Sequence, residues 1–324
     1  MPLPTMEDAV SNRFGSRATV LCLFAMVVCD QSMTRAAPPA QERYLIIHTD
    51  DAGFCDAVNE GTRVGLERGL VSSASMLVVC PAFEEFAEYA VEHPEYDYGV
   101  HLALTCESRD IRWGPVLKDQ VPSLIQRDGS FWQKSAEVAQ HAKADDVRRE
   151  LRAQIQLALK RGIPISHLDH HMWVLLQRPD LLRIYVELGL EFQLPIRLHR
   201  KHLPEECGAA LQNATEYADI IRPISAQGYP LLDFVEADNY NVSPNRKRGY
   251  YLSQLKALKP GVSEFVIHCS VNRPGMTLPV AADRRAADTE AFTSEEIRGE
   301  IRRLGIRVVS WKELLKLLRE QETD

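Results

Sequence analysis

The sequence predicts an α/β fold built on a mostly parallel sheet, and three observations carry that prediction. Past residue 42, short β-like apolar runs alternate with longer amphipathic stretches in about seven units, the pattern of repeated βα units. Four of the short runs end in Asp or His, and in parallel α/β folds ligands and chemistry collect at the carboxyl ends of the strands. No Pro/Ser-rich linker interrupts residues 43–324, which therefore read as a single domain. Periodicity alone leaves a closed barrel and an open sheet as alternatives.

Each element has a local reason. Residues 43–49 form an apolar strand-like run that ends in His48-Thr49-Asp50-Asp51-Ala52-Gly53-Phe54. Residues 56–68 space Val58, Val64 and Leu66 for a helix that Gly69 ends. Residues 71–79 are a second apolar run, 82–93 a helix that stops before Pro94, and 96–104 a third strand. Residues 146–161 make a strongly amphipathic helix with Asp145 as N-cap and Gly162 as stop. A short strand at 165–169 precedes a helix at 179–188 that ends at Gly189. Further strands are expected at 192–197, 263–268 and 306–310, with helices at 294–303 and 311–319. Two long polar stretches, roughly 105–136 and 235–248, are expected to be substrate-binding insertions.

The first 36 residues have a different character. Arg13 and Arg17 precede a short apolar run, residues 18–29, and small residues follow up to Ala36. This is the layout of a secretory signal peptide; the run is short for a transmembrane helix. Residues 37–42 then form a short linker, and the protein is expected to be exported, to the periplasm or beyond, with no stable membrane insertion after cleavage. A formal charge of -7 leaves no basic footprint for nucleic acid. Oligomeric state is left open, a homodimer included. Cys55, Cys80, Cys106, Cys207 and Cys269 are odd in number and include no CxxC pair, so they do not make a disulfide framework.

The polar residues at the strand ends suggest chemistry. Asp50 and Asp51 close the first run, His101 closes 96–100, His167, Asp169, His170 and His171 follow 163–165, and His268 closes 265–267. A carboxylate and imidazoles on separate strand ends form a nitrogen/oxygen metal set. Without clustered cysteines the set does not suit structural zinc, and three protein ligands leave a position open for water. If the strand persists to 169, His167 and Asp169 share one face; Asp169 then orients a ligand imidazole, and His171 reaches the metal as the chain turns. His48 is expected to face away from the rim or to support a neighbour.

These residues resemble the YdjC-like (ChbG/HpnK) carbohydrate deacetylases. Their first motif is similar to Thr49-Asp50-Asp51-Ala52-Gly53-Phe54 with Asn59-Glu60-Gly61 after it. The second is similar to Gly99-Val100-His101-Leu102-Ala103-Leu104-Thr105, and the third to Ser166-His167-Leu168-Asp169-His170-His171. A late His-Pro motif falls on His268, with Cys269 in place of the usual proline. His170 stands where serine is usual, and Met172-Trp173 where many members carry histidines. The resemblance implies a distorted (β/α) barrel of about seven parallel strands with the active site at their C-terminal ends. It implies one divalent ion held by Asp51, His101 and His171; by ligand type zinc suits, with magnesium among the other metals possible, and Asp169 and His167 are expected behind the ligands. It implies removal of an N-acetyl group from an amino sugar or short oligosaccharide. In that scheme Asp50 is the base and His268 the acid, while Arg197 and Trp113 are the candidates for meeting the sugar. The alternatives are an exported carbohydrate- or metal-binding protein without turnover, and a metal-dependent hydrolase of another ester bond.

Overall fold

The computed structural model describes residues 42–200 and 208–321. The expected signal segment 1–36, the linker 37–42 except its last residue, and Cys207 lie outside the described residues. Seven strands are described: β1 (Arg43–Ala52), β2 (Ser73–Met76), β3 (Tyr98–Leu102), β4 (Ile165–His170), β5 (Phe234–Glu236), β6 (Gly261–Ile267) and β7 (Arg307–Val308). The helices between and after them are α1 (Asp56–Arg68), α2 (Phe83–Glu92), α3 (Ser135–His141), α4 (Ala144–Lys160), α5 (Pro179–Glu191), α6 (Ala214–Ala226), α7 (Pro244–Ala257), α8 (Ala282–Phe292), α9 (Glu295–Arg303) and α10 (Trp311–Gln321). None of the described helices is long and apolar enough to cross a membrane.

All strand pairs are parallel, in the order β4-β3-β2-β1-β6-β5, and β7 pairs with the start of β1. The regular ladder is open between β4 and β5. Residues 195–200 span that gap by isolated bridges. Leu168 N–H donates to Pro195 O at 3.0 Å and Arg197 N–H to Leu168 O at 2.9 Å. On the other side, Leu232 N–H donates to Leu198 O at 2.9 Å and Arg200 N–H to Leu232 O at 2.7 Å. The expected distorted barrel is thus seven strands plus one irregular stave. Its main core fills the space between sheet and helices, and a second apolar cluster (Tyr44, Ile46, Val262, Trp311, Leu314 and others) lies under α10.

Several local expectations shift. The expected strand at 192–197 is only a bridge at Ile196. Gly189 does not end α5: a Cβ there would stand 2.6 Å from Ile196 Cγ2, so the missing side chain serves close approach to the stave. Helix α4 starts at Ala144, which places Asp145 in its first turn with Lys143 at the cap. The stretch 235–248 is not an open loop; it holds the end of β5, a 3-10 turn and the start of α7. Helices α3, α6, α7 and α8 do not show in the sequence pattern. In α7 and α8 the reason is visible: few large apolar residues recur on one face, so no helical period stands out. Cys55, Cys80, Cys106 and Cys269 are buried free thiols.

Candidate metal centre

The end of β1 breaks strand alternation. Its register with β2 shifts between Thr49 and Ala52, and Asp51 has φ of 71°, a left-handed conformation that non-glycine residues rarely adopt. A bulge of this kind re-aims side chains. It lets adjacent Asp50 and Asp51 both line one cavity of about 590 Å3. The chain thus begins to bend at Asp51, before Gly53, which also has a positive φ of 87°. Asn59 on α1 fixes the turn behind it: Gly53 N–H donates to Asn59 Oδ1 at 2.7 Å, and Asn59 Nδ2 donates to Ala82 O at 3.0 Å.

His101 comes from β3, and His171 follows β4 directly. Asp51 Oδ1 lies 3.4 Å from His101 Nε2 and 3.3 Å from His171 Nδ1, and those two nitrogens are 3.3 Å apart. Donor atoms around a tetrahedral ion at about 2.0–2.1 Å stand about 3.3 Å from one another, so the triangle fits a divalent ion. The opposite atoms of the two rings are engaged by carboxylates. His101 Nδ1 donates to Asp169 Oδ1 at 2.8 Å, and His171 Nε2 donates to Glu107 Oε2 at 2.9 Å. A carboxylate only accepts, so in the neutral rings the lone pairs of His101 Nε2 and His171 Nδ1 point into the triangle. Arg285 Nη2 donates to Asp51 Oδ2 at 2.8 Å, while buried Asp51 Oδ1 has no hydrogen-bond partner.

The charges agree with the distances. Burial alone would raise the Asp51 pKa, but Arg285 and His171 hold it well below the usual value. Burial would lower that of His171, but Glu107 and Asp51 raise it well above the ordinary histidine value. A proton on His171 answers the same negative surroundings that a metal ion would. Five carboxylates (Asp50, Asp51, Glu107, Asp169, Glu264) surround the centre, against Arg197, Arg285 and charged His48.

Asp50 is held from behind. Arg197 Nη2 lies 2.9 Å from its Oδ1 and Arg197 Nη1 3.2 Å from its Oδ2; the same guanidinium reaches Asp169 at 3.0 Å and Glu264 at 2.7 Å. His48 Nε2 lies 3.2 Å from Asp50 Oδ1 and 3.0 Å from Asp169 Oδ2. Burial would raise the Asp50 pKa; Arg197 and His101, with the His48 bond, outweigh it and hold the group ionised. For His48, burial and Arg197 act downward, and the bonds to Asp169 and Asp50 overcome them, to about 9. His48 therefore supports its neighbours.

The other expected site residues divide between the cavity wall and the core around it. Arg197 faces the cavity, but its hydrogen-bonding edge is taken up by carboxylates. Trp113 does not line the cavity: it is buried, donates its indole N–H to Thr105 O at 2.8 Å and stands against Phe54. His167 lies behind the cavity, bonded to Ser166, 3.2 Å from Asp97 and stacked on Trp311, with a ring nitrogen within 4.8 Å of His48 and Asp169. His268 lines the cavity, but burial and Arg285 push its pKa down to about 3. It is neutral at working pH, so it does not stand ready as an imidazolium acid. Glu107, Arg285 and Tyr240, all cavity residues, went unrecognised in the sequence. Glu107 lies in a loop of no regular period, and Arg285 in a helix of surface-like composition; only the residue type in each case was a signal.

Known proteins are similar to this chain. A carbohydrate deacetylase of Geobacillus stearothermophilus is 26% identical over 85% of this chain and 99% of its own length. One from Thermus thermophilus is 31% identical over 79% of this chain and 88% of its own. The crystal structure of a proposed cellobiose-phosphate cleavage protein from Enterococcus faecalis superposes with a TM-score of 0.67 at 25% identity, covering 85% of this chain and 99% of that one. A sequence model of the family described as YdjC-like protein matches residues 44–303, and with the ordered strand-end motifs at Asp51, His101 and His171 inside that span, the chain belongs to the YdjC-like family.

Proposed function

We propose that the chain is a metal-dependent hydrolase that removes N-acetyl groups from an amino sugar or short oligosaccharide. The observation that carries this reading is the Asp51–His101–His171 triangle beside ionised Asp50 in one cavity. The relatives named as carbohydrate deacetylases favour a sugar as the acyl carrier. Two imidazoles and a carboxylate suit zinc better than magnesium, which prefers oxygen ligands.

Asp51, His101 and His171 would hold the ion, which would polarise the acyl oxygen and lower the pKa of a bound water. Asp50 accepts the proton from the attacking water at a carboxylate oxygen, a role typically worth roughly 10²–10⁴-fold. Arg197 and His48 keep that carboxylate ionised and aimed. Asp169 and Glu107 fix the tautomers of His101 and His171. His268, neutral and with Nδ1 unpartnered, would hand on to the leaving amine the proton that Asp50 takes from the water.

The test is acetate release by the metal-loaded protein from N-acetylated amino sugars, compared with O-acetyl and phosphate esters. Release from the amides, abolished by chelation and restored by zinc, is expected. Turnover of the esters alone would replace this reading with a hydrolase of another bond; binding without turnover would replace it with a binding protein. We also infer an exported location from the first 36 residues, which fractionation of cells making the full chain tests.

A further inference from the structure

His170 is a cavity residue that the reaction scheme leaves unused. Its side chain is 3% exposed, yet neither Nδ1 nor Nε2 has a hydrogen-bond partner. Its ring stands edge to face with Trp173 at 5.6 Å and Tyr185 at 5.2 Å between centroids. A neutral imidazole offers one donor and one acceptor, and buried polar atoms left unpaired are costly. A sugar hydroxyl, which can either donate or accept, can pair with whichever of the two nitrogens faces it.

A second observation concerns the next two residues. Met172 and Trp173 both have φ of 52°, a left-handed pair without glycine. Backbone strain of this kind persists only where its surroundings hold it, and it collects at functional sites. Here Ser135 Oγ donates to Met172 O at 2.6 Å and Gln177 Nε2 to Trp173 O at 3.3 Å. The result is a half-buried indole in the cavity wall beside His170. Aromatic side chains present a large rigid apolar face, which suits the C–H face of a pyranose ring.

We propose that His170 and Trp173 form a saccharide subsite of this centre, His170 pairing with a ring hydroxyl and Trp173 covering the apolar face of the same sugar. The proposal rests on the carbohydrate reading above. It makes these residues determinants of which sugar is accepted, separate from the groups that act on the acyl bond.

The test uses the full zinc-loaded chain with N-acetylglucosamine and its β-linked disaccharide as probes. Binding is followed by calorimetry, turnover by acetate release, and zinc content is measured for every variant. H170F, which keeps an aromatic ring but removes both nitrogens, is expected to raise Kd and KM about tenfold with zinc retained and kcat changed less than about threefold. H170N, which keeps a donor and an acceptor, is expected to recover part of the affinity, and W173L to weaken binding like H170F. Unchanged Kd and KM in both H170F and W173L would overturn the proposal, as would loss of kcat in proportion to lost zinc. If the wild type binds the sugars through these two residues but releases no acetate, the subsite stands and the deacetylase reading falls. If it releases acetate and the variants keep wild-type KM, the reverse holds.

Discussion

Asp50 and Asp51 are adjacent in sequence but face different partners. Asp51 gives one oxygen to Arg285 and turns the other toward His101 and His171, whereas Asp50 is gripped by Arg197 and His48. Asp51→Ala is therefore expected to lose the metal, read by metal analysis after dialysis. Asp50→Asn is expected to retain it while turnover falls by roughly 10²–10⁴-fold; equal metal loss in both would end this division of labour. Arg197 offers a second prediction. It is the cation shared by Asp50, Asp169 and Glu264, all buried, and removing one member of a buried ionic set costs about 3–5 kcal/mol. Arg197→Gln is expected to lose about that much stability in urea titrations. Arg197 lowers the Asp50 pKa, so without it Asp50 protonates at higher pH, and the acid limb of kcat/KM should move upward. Arg197→Lys keeps the charge but not the planar fork and should fall between. Unaltered urea midpoints would show that the guanidinium is dispensable.

At the scale of elements, the site depends on how closely α1 packs against the segment after β6. A Cβ on Gly61 would lie 2.3 Å from Ser270 Cα and 2.4 Å from Ser270 N, backbone atoms two residues from His268. Backbone cannot step aside as a flexible side chain would. Gly61→Ala is expected to cost about 1–3 kcal/mol by overpacking and to lower turnover by displacing His268; a variant with wild-type melting and activity would show that α1 can move without consequence. This gives a physical meaning to Asn59-Glu60-Gly61: Asn59 holds the turn after β1, and Gly61 lets the helix approach. The long regular elements were legible in sequence because their apolar residues keep a period; α1 has the predicted bounds. The stave at 195–200 was legible only in part: the strand expected at 192–197 covers its first half, but two edges share its hydrogen bonds and neither leaves an alternating pattern that fixes its bounds. The short β5 left too little pattern to register.

At the scale of the whole molecule, the buried histidines set a pH window for the metal-free protein. The folded pKa of His48 is raised from 6.5 to about 9, so its stabilisation is complete below about 6.5 and is lost as pH rises through 9. His171 is shifted in the same direction. His170 and His268 are lowered to about 3, mainly by burial, so their neutral forms favour folding above about 6.5, and that contribution is lost as pH falls toward 3. Asp50, Asp51 and Asp169 are lowered as well and add to the loss on the acid side. Chelated protein is therefore expected to be most stable near pH 6.5 and weaker at both 4.5 and 9, measured by urea denaturation. A stability that kept rising to pH 9 would contradict a charged His48. Zinc should stabilise the fold by mass action, and the gain should shrink below about pH 6 as protons compete for the ligands.

The sequence by itself determined the parallel α/β arrangement and the set of carboxylates and imidazoles brought to one rim, because strand ends are local features and the barrel gathers them whatever its closure. It also carried the motifs that mark the family. Only the tertiary structure decided how those residues divide their work. The left-handed backbone at Asp51 turns two neighbouring carboxylates into one cavity. Arg285 arrives from α8, 234 residues along the chain, to occupy one oxygen of Asp51, and Arg197 comes from an irregular stave to hold Asp50. His268 is neutral because of what is packed around it. Contacts between residues so far apart, and the fields they create, depend on packing in three dimensions and leave no periodic trace in a single chain.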